Sequence, residues 1–223
     1  MSNKPIKKSD VKKLNTVFER KLRIQNSILP PYTFILSEGT KTEPNYVKDM
    51  VGKINKKYYN FCQGDVIIVE GTARNTKTLL EYARERVEVV MPRAENVWLL
   101  YDKDDFPKDN FDNTFFSVKD RIDKRHYRAI WSNESFELWL LLHFQDLDTR
   151  IPRKQCVKLL KEHLGNYEKN MPNIYSLLSH NTDVALRRAR ELFLSYEKDT
   201  PPSKMCPCTM VFELVEELRK YIS

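Results

Sequence analysis

The sequence predicts an α/β protein with a parallel sheet. Short, uniformly apolar runs recur along the first 150 residues, and helical patterns of a dozen residues or more lie between them, as in a parallel sheet covered on both faces.

The elements follow in order. Residues 9–26 place Leu14, Val17, Phe18 and Leu22 at helical spacing among basic residues. "LPPY" at 29–32 ends that helix, because proline fixes its own backbone and biases the residue before it toward an extended form. "YTFIL" (32–36) reads as the first strand, 43–59 as a helix and "DVIIV" (65–69) as the second strand. A helix over 75–90, capped by Asn75 or Thr76, leads to a third strand at 96–101. A helix over 112–124, a fourth strand at 127–131 and a helix over 134–144 complete the alternation. Beyond 151 the strand patterns stop and helical ones continue, with Pro152 suited to a first turn. The expected organisation is a basic N-terminal helical arm (1–29), an α/β core with four parallel strands (30–150) and a helical C-terminal lobe packed on the core (151–223).

The composition narrows the class. With 223 residues, 41% hydrophobic and 31% charged, the chain is long enough to bury a sizeable core. A net charge of +7 and a pI near 9.1 tilt the chain toward polyanionic partners such as nucleic acid, although many basic proteins never touch nucleic acid. The densest apolar stretch, "LWLLLHF" at 138–144, is far shorter than the roughly 20 residues a bilayer needs. The amino end lacks the apolar core of a secretory signal, so a cytoplasmic protein without a membrane partner is expected. Four cysteines are too few for a disulfide framework, and "CPC" at 206–208 reads as a turn around Pro207.

Ligands of open parallel sheets bind beyond the carboxyl ends of the strands, and acids gather there in this chain. The first strand is followed by Glu38, the third by Asp102, Asp104 and Asp105, and the fourth by Glu134 and Glu137. Strand alternation sets Asp102 and Asp104 on one side, as two oxygen ligands of a hard cation require. Carboxylates so clustered repel unless a cation or a basic group neutralises them, which points to Mg²⁺ or Mn²⁺. Glu137 sits within an apolar helix, where an ionised carboxylate needs a partner or a metal. Lys41 could contact a phosphate, and His143 could hold a phosphate or support a carboxylate, a hydrogen-bonded core histidine being the plainer reading. Lys7, Lys8, Lys12, Lys13, Arg20, Lys21 and Arg23, with Arg125 and Arg128, are candidates for a nucleic-acid path or simply a solvated face.

A strand ending in "SEGTKTE", a later strand ending in "DKDD", and then "SNESFELWLLLHF" resemble the RloB family, whose core is similar to the Toprim fold of topoisomerases, primases and OLD-type nucleases. The resemblance covers most of the chain. It implies proton transfer at a phosphodiester by Glu38 and Mg²⁺ held by Asp102 and Asp104. Glu43 resembles the second acid of the family's "EG-TE" element, with one extra residue between it and Glu38. Phe136, Glu137, Trp139, His143 and Phe144 fit the family pattern, whereas Glu134 and Ser135 stand where Pro and Cys are usual, which favours Glu137 as the later acid. "CPCTMVFELV" is similar to the family's Pro–x–Thr segment. The resemblance implies a metal-dependent nuclease of DNA or RNA, tRNA included, acting in bacterial anti-phage defence (abortive infection) beside an ATPase partner. The alternative is a non-catalytic nucleic-acid or nucleotide sensor that regulates that ATPase. A haloacid-dehalogenase-like phosphatase also uses D-x-D, but its motif lies on the first strand, not the third.

Overall fold

The computed structural model describes residues 29–74, 76–103, 108–119 and 123–222. The expected N-terminal helix, with its lysines and arginines, and Asp104, Asp105 and the cap candidate Asn75 lie outside the described residues.

The apolar runs form strands β1 (Thr33–Ser37), β2 (Ile67–Gly71), β3 (Asn96–Asp102) and β4 (His126–Asn133). They pair in parallel in the order β2-β1-β3-β4, with Thr33 opposite both Ile67 and Asn96, and Asn96 opposite His126. Every residue of β1 is buried, as a strand covered on both faces must be. The all-parallel four-stranded sheet expected from sequence is corrected here: a fifth strand, β5 (Cys208–Thr209), pairs antiparallel with the end of β4, so the sheet is mixed. Two residues are too few to carry a period, and their place is fixed by tertiary bonds. Met210 N–H donates to Trp131 O at 2.8 Å, and the Ser132 and Thr209 hydroxyls lie 2.9 Å apart.

Eight α-helices are described: α1 (Thr42–Cys62), α2 (Thr76–Val90), α3 (Lys108–Ser117), α4 (Glu137–Leu141), α5 (Arg153–Leu164), α6 (Ile174–Leu178), α7 (Thr182–Leu194) and α8 (Val211–Ile222). Helix α1 packs on β2 and α8, α2 on β3 and α3, and α8 on β4. Residues Pro31–Ser223 form one compact unit that includes the helices after 151. None of the described helices is long and apolar enough to cross a membrane.

Boundaries shifted where side chains took over backbone groups. β2 begins two residues later than expected because Asn55 Oδ1 accepts the N–H groups of both Val66 and Ile67, each at 3.1 Å. The expected helix over 134–144 contracts to α4. At its start Phe136 N–H is given to Asp102, and at its end His143 and Phe144 bond to Leu140 and Leu141 in tighter turns. Helix α3 starts at Lys108 and ends at Ser117, ahead of the expected 112–124. The four cysteines are free thiols, and Cys206–Pro207 is a cis peptide leading into β5.

Candidate active site

The first strand ends on a buried Ser37, and the chain leaves the sheet at Glu38, whose N–H donates to Leu100 O at 2.8 Å on the neighbouring β3. Its carboxylate accepts from Thr76 Oγ1 at 3.0 and 3.2 Å. Thr76 opens α2, so the expected helix cap serves an acid from another strand. The turn behind Glu38 depends on two glycines. A Cβ on Gly39 would stand 2.6 Å from Glu43 Oε1 and closer still to Oε2, and one on Gly71 would stand 2.6 Å from Gly39 O and 2.9 Å from Thr40 Cα. Backbone, glycine and the Glu43 carboxyl therefore fill one another's space.

Glu43 lies in the first turn of α1 and is buried. Burial raises its carboxyl above the ordinary range, and the charge of Glu137 adds to that. One turn on, Tyr46 packs edge-on against Phe136 (5.6 Å between ring centres), Trp139 (6.3 Å) and Tyr175 (5.5 Å). This aromatic cluster joins α1 to α4 and α6 and thereby holds Glu43 near Glu137, which lies between Phe136 and Trp139 in the chain.

At the end of β3, Asp102 is buried. Its Oδ2 accepts the Phe136 N–H at 3.1 Å and an Arg153 guanidinium N–H at 2.6 Å. The same guanidinium lies 3.4 Å from Glu137 Oε2, and Lys169 Nζ lies 3.8 Å from Glu137 Oε1. Glu137 is only 1% exposed, and its Oε2 accepts no hydrogen bond. Lys169 is placed by its own carbonyl, which accepts from Thr42 Oγ1 at 3.0 Å.

These groups line a cavity of ≈ 370 Å³ that also receives Lys41 and Arg74. Four acids (Glu38, Glu43, Asp102, Glu137) thus face four cations (Lys41, Arg74, Arg153, Lys169). The N-terminal ends of four helices meet there too: Thr42 opens α1, Arg74 stands two residues before α2, Glu137 opens α4 and Arg153 opens α5. Helix N-termini carry partial positive charge and unpaired N–H groups, so the cavity suits an anion such as phosphate.

The cavity gathers most of the site expected from sequence: Glu38, Lys41, Glu43, Asp102 and Glu137 all line it. Asp104 lies outside the described residues, as do Lys7, Lys8, Lys12, Lys13, Arg20, Lys21 and Arg23. His143 is brought elsewhere: it is buried, its Nδ1 lies 3.1 Å from Trp139 O, and it is not among the cavity residues. Arg125 and Arg128 lie at the start of β4, the opposite edge of the sheet, about 20 Å of strand from its carboxyl end. Arg125 pairs with Glu88 at 2.5 Å and Asp123 at 3.3 Å, and Arg128 lies over the Trp98 ring. Glu134 pairs with Arg150. Cys156 has its thiol pushed up to about 12 by burial, with Glu137 and Glu134 adding to it, so it is no nucleophile at neutral pH.

Sequence reasoning missed Arg153, Lys169 and Arg74. Arg153 left one trace: it is a cation in the first turn of a helix, where the dipole disfavours positive charge, so another group must hold it there. Among the described residues no three of His, Cys, Asp and Glu stand together as a ready-made cation cage. The donor set is nevertheless of the right kind. Mg²⁺ typically takes one or two protein carboxylates and completes its shell with water and phosphate oxygens, and Asp102 with the unsatisfied Oε2 of Glu137 offers such a pair.

A mixed α/β sheet with a cavity at its carboxyl edge lined by four acids and four cations defines the class of protein: an α/β protein with a charged cavity at the strand ends. The RloB-like protein family matches residues 33–218, most of the chain, and the protein belongs to that family. No curated protein and no solved structure matches it.

Proposed function

We propose that the chain is a Mg²⁺- or Mn²⁺-dependent nuclease of Toprim type that cuts a phosphodiester of DNA or RNA, tRNA included. The observation that carries this reading is the single cavity that joins acids from the ends of β1 and β3 and the start of α4 to a rim of cations and helix N-termini. The four parallel strands in the order β2-β1-β3-β4 support the Toprim comparison. Asp102 and Glu137 would hold the ion, which when bound supplies positive charge to the phosphoryl oxygens. Glu38, oriented by Thr76, takes the proton of the attacking water. Glu43, whose carboxyl keeps its proton to higher pH, is suited to protonate the leaving oxygen. Lys41, Arg74 and Lys169 draw the phosphates in. A role in phage defence beside an ATPase partner rests on the family resemblance.

A second reading has its own support. Arg153 and Lys169 already neutralise Asp102 and Glu137, so the cavity can stand as a binding site alone, and the protein would then be a nucleic-acid or nucleotide sensor. Incubation of the protein with plasmid, single-stranded DNA and total tRNA, in Mg²⁺, Mn²⁺ or EDTA, separates the two. The nuclease reading expects metal-dependent cutting that Glu38→Gln abolishes with the fold intact. Binding without cutting under every condition transfers the case to the sensor.

A further inference from the structure

We propose that Arg153 is a built-in competitor for the divalent cation: its guanidinium must leave Asp102 and Glu137 before an ion can use both carboxylates, and once displaced it turns to a phosphate oxygen of the substrate. This rests on the metal-dependent reading of the site and names how that site is regulated.

The two carboxylates are served unequally. Arg153 binds Asp102 closely, at 2.6 Å, but reaches Glu137 Oε2 only at 3.4 Å and outside hydrogen-bond geometry. Lys169 compensates Glu137 from 3.8 Å. Glu137, 1% exposed, is therefore charge-compensated yet keeps an oxygen that accepts no hydrogen bond beside the cavity. A buried carboxylate oxygen in that condition gains more from a directly bound cation than a well-bonded one would.

Arg153 can also move. Its side chain is 31% exposed, so it can turn toward solvent without disturbing the core. The helix N-terminus repels a guanidinium and attracts an anion, so the carboxylates hold Arg153 against the local potential. When a cation takes the carboxylates, the guanidinium is released to bind a phosphate oxygen at the N-terminal end of α5, where the helix dipole favours an anion. Metal entry and phosphate arrival then favour each other, and linkage makes the coupling reciprocal.

The test measures free Mn²⁺ by electron paramagnetic resonance on wild type, Arg153→Gln and Arg153→Lys. Each is titrated with and without a short phosphorothioate-linked oligothymidylate, and each fold is checked by circular dichroism. Without oligonucleotide, Arg153→Gln should bind Mn²⁺ about tenfold more tightly than wild type, the worth of one charge-assisted hydrogen bond. Arg153→Lys, which keeps the charge, should stay near wild type. The oligonucleotide should tighten Mn²⁺ binding several-fold in wild type and little in Arg153→Gln. A residue with a merely structural role would weaken metal binding when removed, not strengthen it. Equal or weaker Mn²⁺ binding by a folded Arg153→Gln overturns the competitor role and leaves the nuclease reading standing. A full oligonucleotide response in that variant overturns the phosphate role. No Mn²⁺ binding by wild type or either variant overturns this proposal and the metal-dependent reading together.

Discussion

Acidification should weaken the fold through one residue, His143. Its ring is 1% exposed and packs edge-on against Trp139 at 5.0 Å between centres. Nδ1–H donates to Trp139 O at 3.1 Å, and Nε2 has no hydrogen-bond partner. Burial lowers its pKa from the ordinary 6.5 to about 4. The folded protein therefore keeps a neutral ring while the unfolded chain takes up a proton, so stability is complete above pH 6.5 and falls as pH drops toward 4. That gap corresponds to roughly 3.4 kcal/mol when fully expressed, with about 1.2 kcal/mol lost between pH 7 and 5.5 and about 2.4 kcal/mol by pH 4.5. Carboxylates titrate in the same range, so the measurement is a difference. Urea unfolding of wild type and His143→Gln at those three pH values should show wild type losing its advantage over the variant by these amounts. Parallel stability curves for the two proteins would refute the reasoning and mean that the imidazole charges as readily in the folded state as outside it.

The other predictions concern the cavity. Asp102→Asn should lower stability by about 1–3 kcal/mol in EDTA, read by urea unfolding, because it weakens a buried bond to Arg153. Gly39→Ala should cost about 1–3 kcal/mol through overlap of its Cβ with the Glu43 carboxyl, and Glu43→Ala in the same chain should recover part of that loss. Glu43→Gln should be more stable than wild type at neutral pH. The folded carboxyl titrates above its unfolded value, so its cost grows as pH rises through that window, and the gain should vanish toward pH 4 in thermal melts over a pH series.

The parts of the molecule that obey a local period were legible in the sequence. β1, β3 and β4 were found within two residues of their ends, because a strand buried on both faces reads as a continuous apolar run. The acids that close those runs, Glu38 and Asp102, and Glu137 just beyond the fourth, do line one cavity, since parallel strands in register bring their carboxyl ends to one edge. Only the tertiary structure decided how that edge is neutralised. Sequence reasoning foresaw repulsion relieved by a metal or a basic group, and the fold supplies Arg153, 51 residues beyond Asp102, together with Lys169. It likewise placed β5 against β4 and turned His143 away from the cavity. Each of these depends on a contact between residues distant in the chain, whose energy comes from burial and charge at a place that no neighbouring residue marks.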